Sequence, residues 1–168
     1  MLSVVIETRN NEEALARTLA SLVGAAVEGT VREVIVCDLG SSDQTHKVAD
    51  QAGCHYITGG IGAGVAQAKS DWLLLLEPGA RLVDGWTEAV QDHMEMMAMP
   101  ARFSRSRLDR QPFFSRVLTS RTALSEGLVI RKSQALPLSR HAADAEAVAR
   151  GLATKRISAE IRVAPLRK

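Results

Sequence analysis

The chain has 168 residues, enough for one domain with a substantial core, and its apolar share of 46% and charged share of 24% are those of an ordinary globular protein. A net charge of +2 excludes a strong overall bias toward polyanionic partners. No apolar run approaches the roughly 18 residues that span a bilayer, and the N-terminus enters a strand pattern with no basic region, apolar core or cleavage site, so no signal peptide is expected.

Residues 2–7 read as a strand. Leu15, Leu19, Leu22 and Val23 recur at helical spacing and predict a helix over 11–23, with Asn10 or Asn11 as its N-cap and Gly24 and Gly29 marking its end. Residues 32–37 form a second strand. Ser42 or Asp43 can cap a helix running to about Ala52 and closed by Gly53. A short third strand covers 54–58. Gly59, Gly60, Gly62 and Gly64 follow, read mainly as a flexible turn leading into a short helical piece. Residues 71–76 do not alternate, so they fit a central strand buried on both faces.

Later elements are sparser. Residues 84–93 fit a helix, and Met94, Met96, Met97 and Met99 suggest an extended apolar segment that fills core more readily than it forms a binding surface. Residues 102–121 carry six arginines against one acid, Asp109. Residues 127–132 fit a strand, Asp144 to Arg150 a helix ended by Gly151, and 156–163 a last strand. Strands separated by helical patterns predict an α/β protein with a mostly parallel central sheet between helical layers. The chain reads as one domain, with a first half over 1–80 and a second over 81–168.

Cys37 and Cys54 fit two buried thiols better than a disulfide, which points to a reducing, cytoplasmic setting. The four histidines show no metal-ligand spacing and read as surface or helix-end residues. A strand that stops abruptly in an α/β fold delivers polar side chains to the carboxyl edge of the sheet, where ligands bind. Asp38 stands at such a point, and a carboxylate there can accept a base N–H such as that of uracil N3. Thr8 and Asn10 end the neighbouring strand. Asp38 and Ser41 also suit a plain turn. Asp144 suits a helix N-cap as well as a base.

The arginine-rich segment fits phosphate groups of a donor or of a phosphorylated or lipid-linked acceptor. It also fits peripheral contact with the inner face of a membrane, helped by Phe103, Phe113 and Phe114, or a solvated basic face with its Phe residues in the core. Nucleic acid is least favoured, since no recognition module is evident.

Val4-Val5-Ile6 followed by Thr8, Asn10 and Glu12, and Val34-Ile35-Val36-Cys37-Asp38 followed by Gly40-Ser41-Ser42-Asp43, together resemble the nucleotide-binding segments of family 2 glycosyltransferases. Asp71 to Glu77, Gly127 to Lys132 and His141 to Gly151 follow in the family's order. The resemblance implies a GT-A, Rossmann-like three-layer α/β/α fold. It implies inverting transfer of a sugar from a nucleotide-sugar donor, UDP-linked, to an acceptor. Thr8, Arg9, Asn10, Glu12, Asp38 and Ser41 would bind the nucleotide. Asp144 would be the catalytic base, and Glu77 would hold Mg²⁺ or Mn²⁺. Glu77-Pro78-Gly79 stands where the family has Asp-x-Asp, and Glu7 stands where it commonly has Pro. A relative that binds nucleotide without transferring sugar is the alternative that the missing carboxylate favours. A nucleotidyltransferase-like or dinucleotide enzyme on a related sheet is a further rival.

Overall fold

The computed structural model of the chain describes residues 1–106 and 122–165. In chain order, β1 (Leu2–Thr8) leads to α1 (Glu12–Ala20), α2 (Val23–Val27), β2 (Val31–Asp38), α3 (Thr45–Gln51), β3 (His55–Thr58), α4 (Ile61–Gln67), β4 (Trp72–Leu76) and β5 (Arg81–Leu82). Then come α5 (Trp86–Met96), β6 (Ala101–Arg105), β7 (Leu128–Arg131), α6 (Lys132–Ser139), α7 (Ala145–Ala149) and β8 (Lys155–Arg162).

The strands form one eight-stranded sheet in the order β3-β2-β1-β4-β7-β6-β8-β5. β3, β2, β1 and β4 run parallel. β7 runs antiparallel to β4 and β6, while β8 runs parallel to β6 and antiparallel to β5. Helices cover both faces, as the unbroken apolar run of β4 requires. One core joins Val4, Ile6, Val36 and Leu74 to Leu15 of α1 and Val90 of α5. The other joins Val5, Ile35 and Leu73 to Val65 of α4 and Val148 of α7. Because side chains alternate along a strand, Thr8 follows Val4 and Ile6 to the first face, and Glu7 follows Val5 to the second.

Several boundaries differ from the sequence reading. The helix expected over 11–23 breaks after Ala20 and resumes as α2. Neither Asn10 nor Asn11 caps it by side chain: Asn11 occupies the cap position without a side-chain bond, and Asn10 takes a left-handed φ of 52°. Capping comes instead from the loop before α3. Asp43 Oδ2 accepts from the Glu12 N–H (3.2 Å), while Glu12 Oε2 accepts from the Gln44 N–H (2.7 Å), so the two acids cap each other's helices. This reciprocity joins residues about 30 apart, and no local pattern announces it.

Of the four glycines read as a flexible turn, Gly59 and Gly60 precede α4, and Gly62 and Gly64 lie within it. Gly64 lies within α4, where an added Cβ would run into Cys37 Sγ and come 2.7 Å from Val5 Cγ1. On the same helix, a Cβ at Gly62 would meet the Ser139 carbonyl oxygen at 2.8 Å. These glycines let α4 lie close against β1, β2 and α6.

Met94 and Met96 are helical rather than extended. Met94 packs against the core, but Met96, Met97 and Met99 are exposed, so core filling holds for Met94 alone of the four. His93, in the last turn of α5, is buried; its Nε2 lies 2.8 Å from the Met99 carbonyl oxygen and its ring meets Trp72 edge-on. The arginine-rich segment opens as β6, with Phe103 fully buried. Arg107, Arg110, Arg116, Arg121, Phe113 and Phe114 lie outside the described residues. Helix α6 was not expected, since Pro137 interrupts its pattern. Cys37 and Cys54 are free thiols, as expected, and burial pushes them up to about 12 and about 11.

Candidate active site

The carboxyl ends of β1, β2 and β4 meet at one sheet edge. Thr8 and Asp38 are register partners there, and Glu77 follows β4 directly. Thr8 and Asp38 are both buried, at 3% and 2% exposure. Thr8 Oγ1 is a buried hydroxyl with no hydrogen-bond partner among the described residues. Such a group is unfavourable unless water or a ligand satisfies it.

Asp38 is heavily bonded. The Ser41 N–H donates to Oδ1 (3.2 Å) and Oδ2 (3.0 Å), and the Ser41 hydroxyl donates to Oδ1 at 2.5 Å. The Tyr56 hydroxyl donates to Oδ2 at 2.5 Å. Burial works to raise the Asp38 carboxyl, but the Ser41 and Tyr56 bonds outweigh it and hold the group below the usual aspartate range. Asn10 ties the two strand ends together: its Oδ1 accepts from the Ser42 N–H (2.7 Å), and its own N–H donates to Ser41 Oγ (2.8 Å). Glu12 is engaged with α3 as described. Arg9 is exposed.

A second cluster forms where β1 and β4 end. A cleft of about 170 Å³ is lined by Glu7, Leu76, Glu77, Leu124, Asp144, Ala145 and Glu146. Asp144 begins α7, and its Oδ1 accepts from the Ala147 N–H at 2.8 Å. It is therefore an N-cap whose carboxylate also borders the cleft. Glu7 was noted in the sequence only as a departure. Its Oε2 accepts from the Ile61 N–H (2.7 Å) and its Oε1 from the Ala145 N–H (3.1 Å), joining α4 to α7. Glu146 pairs with Arg150 at 3.2 Å.

Glu77 accepts a hydrogen bond from Thr122 Oγ1. Burial, and to a lesser degree the nearby Glu146 charge, push the Glu77 carboxyl above its usual range despite that bond. Among the described residues, no group of three or more His, Cys, Asp or Glu is arranged to hold a metal ion. Glu77, the carboxylate that directly follows β4, still fits a hard cation that shares its coordination with substrate phosphates. The donor set thus suits an ion arriving with a diphosphate better than a resident one.

The two arginines of β6 serve the fold. Arg102 donates to the Ala149 carbonyl at the end of α7 (2.7 Å), and Arg105 pairs with Glu126 at 3.3 Å. Sequence reasoning missed Tyr56, Thr122 and Glu126, because each meets its partner through tertiary contacts rather than local spacing.

Comparison with known proteins accords with this geometry. A TPR repeat-containing protein of Synechococcus elongatus is 32% identical over 96 residues, covering 52% of this chain but 23% of that protein. S. aureus TarS 1-349 in complex with UDP-GlcNAc matches with a TM-score of 0.69 at 16% identity, over 99% of this chain and 59% of that one. Glucosyl-3-phosphoglycerate synthase from Mycobacterium tuberculosis, in complex with Mn²⁺, UDP and glucosyl-3-phosphoglycerate, matches with a TM-score of 0.69 at 17% identity, over 100% of this chain and 73% of that one. The fold is that of the GT-A glycosyltransferases. Residues 3–98, more than half of the chain, match the family model described as Glycosyl transferase family 2.

Proposed function

We infer the activity from the family: the chain belongs to glycosyl transferase family 2, and it moves a sugar from a UDP-linked donor to an acceptor hydroxyl with inversion at the anomeric carbon. One observation carries the reading. Thr8 and Asp38 stand as register partners at the carboxyl edge of the sheet, and Glu77, at the end of the neighbouring strand β4, lines one cleft with Asp144. The UDP and UDP-GlcNAc bound by the two structural neighbours support the choice of donor.

Thr8 and Asp38 meet the nucleoside, and a ligand hydroxyl or amide would satisfy the orphaned Thr8 hydroxyl. Asn10, Ser41 and Glu12 hold the two strand ends in register through their bonds to the α3 loop. Arg9 brings a cation to the same edge. Asp144 receives the acceptor proton on the carboxylate oxygen that does not cap α7. As it does so, the acceptor oxygen bonds to the anomeric carbon and the bond to the diphosphate breaks, releasing UDP. Glu77 would hold Mg²⁺ or Mn²⁺, which when bound neutralises charge on the leaving diphosphate.

Residues 1–80 form the donor half and 81–168 the acceptor-facing half of a single unit. The free thiols support a cytoplasmic setting. No helix among the described residues is long and apolar enough to cross a membrane. The second reading, a nucleotide-binding relative that does not transfer, is favoured by the lone carboxylate at the end of β4. Release of UDP from a panel of UDP-sugars, measured with and without Mn²⁺, separates them. Metal-dependent release lost in Asp144→Asn supports the enzyme, whereas UDP binding with no release from any donor supports the second reading.

A further inference from the structure

We propose that Tyr56 is a resident donor at Asp38 that an incoming nucleobase must displace, so that the pocket takes bases presenting a ring N–H and refuses those presenting a bare ring nitrogen. This rests on reading the ends of β1 and β2 as the nucleoside site, and it adds to that reading the residue that sets base choice.

The placement is specific. Tyr56 lies on β3, the outermost strand at its end of the sheet, and stands opposite Val36 in the parallel register, while Thr58 stands opposite Asp38. Register partners share a face, and side chains two apart on a strand share one too. Tyr56 is therefore on the face of Val36 and Asp38, and its hydroxyl reaches Asp38 Oδ2 at 2.5 Å. The three bonds from Ser41 are local, made by a residue three positions along the same turn. Among the described residues, the Tyr56 bond is the one that comes from another strand. It comes from a side chain 37% exposed, which can swing aside by side-chain rotation alone.

Lone-pair accounting gives the competition. A carboxylate has about four acceptor sites. Among the described residues, the Ser41 N–H shared between both oxygens, the Ser41 hydroxyl on Oδ1 and the Tyr56 hydroxyl on Oδ2 make four contacts, two on each oxygen, so no acceptor site is left open. Oδ2, the oxygen less occupied by Ser41, is the one Tyr56 covers. A uracil ring N–H is a donor of the same kind and can take over that oxygen. Cytosine offers an unprotonated ring nitrogen at the equivalent position, and its lone pair would face the carboxylate with no proton between them. Removing Tyr56 without replacing its donor leaves a buried carboxylate under-satisfied, which disfavours that exchange. The phenol is pushed up to about 12, chiefly by its bond to Asp38, so it remains a protonated donor at neutral pH.

The sign of one substitution decides between competition and simple support. Tyr56→Phe keeps the ring and removes the competing hydroxyl, so UDP should bind about three- to tenfold more tightly. A tyrosine that merely oriented Asp38 would give weaker binding when lost. Tyr56 is the sole tyrosine of the chain, so biosynthetic fluorotyrosine labelling yields a single fluorine resonance. The test is calorimetry with UDP and CDP on wild type and Tyr56→Phe, alongside fluorine NMR of the labelled wild type. Tighter UDP binding by Tyr56→Phe, with a resonance that moves on UDP saturation and stays put with equal CDP, supports the proposal. UDP binding by wild type that is unchanged or weakened in Tyr56→Phe, or a resonance indifferent to UDP, overturns the proposal and leaves the nucleoside pocket standing. Absence of UDP binding by both proteins overturns the pocket and the proposal together.

Discussion

The Glu7 side chain accepts a hydrogen bond from the backbone N–H of Ala145 at 3.1 Å, linking the first strand of the chain to the helix that Asp144 begins. Its other oxygen takes the Ile61 N–H at 2.7 Å. One carboxylate thus ties α4 and α7 to β1 beside the cleft, at a position where a proline would offer no side-chain acceptor at all.

Glu7→Ala should therefore destabilise the protein by about 2 kcal/mol, because two helix-start N–H groups lose their acceptor. Glu7→Gln retains one carbonyl oxygen and should lose less. Urea denaturation followed by circular dichroism measures both, and equal stability of all three proteins would contradict the clasp.

Two glycine substitutions should move in opposite directions. Gly64→Ala pushes a methyl group into Cys37 and Val5 beneath α4, and overpacking of this kind costs about 1–3 kcal/mol. Gly24→Ala, within α2, meets nothing within 4 Å and should stabilise by roughly 0.5–1 kcal/mol through helix propensity and a less flexible unfolded chain. Thermal midpoints of the two variants against wild type provide the check.

Asp144 combines a cap with a proposed base, and two variants divide those roles. Asn caps helices about as well as Asp, so Asp144→Asn should keep wild-type stability and lose transfer. Asp144→Ala should lose transfer and about 1 kcal/mol of stability as well, since the Ala147 N–H loses its acceptor. Denaturation midpoints and UDP-release rates on the same preparations separate the two effects. Retained transfer in Asp144→Asn would remove Asp144 from the chemistry.

Glu77 makes stability depend on pH with a defined sign. Burial raises its folded-state carboxyl above the ordinary value of 4.5. A raised group favours the folded protein at pH below its unfolded value, and that contribution is lost as pH rises through the folded value. At neutral pH the wild type thus carries an unfavourable buried charge that Glu77→Gln lacks. Glu77→Gln should be the more stable protein near pH 7, with the difference closing as pH falls toward about 4. Asp38 acts in the opposite sense. Its folded-state carboxyl is lowered, so its contribution is present above the unfolded value and lost as pH falls through the folded one. Denaturation of wild type and Glu77→Gln across that range tests the Glu77 sign.

Much of the first half was legible because its signals are local. The unbroken run of β4 and the paired polar breaks after Ile6 and Cys37 announce parallel strands that end together at one sheet edge. Helix α6 was hidden by Pro137, and β6 by an arginine content that suggested a surface although Phe103 at its centre is fully buried. Asp38, Thr8 and Asn10 could be placed at neighbouring strand ends from spacing alone. What occupies the lone pairs of Asp38 could not, because Tyr56 arrives from an edge strand whose register no local pattern specifies. The same holds for Glu77 and Thr122, and for the exchange of caps between Glu12 and Asp43.

Donor binding rests on the proposed nucleoside pocket around Asp38 at the ends of β1 and β2. Calorimetric titration of UDP in the presence of Mn²⁺, into wild type and into Asp38→Asn, probes that pocket without requiring an acceptor. Saturable heat with the wild type that is lost in a folded Asp38→Asn protein is the predicted result. No heat with the wild type, or equal affinity in the two proteins, would contradict it.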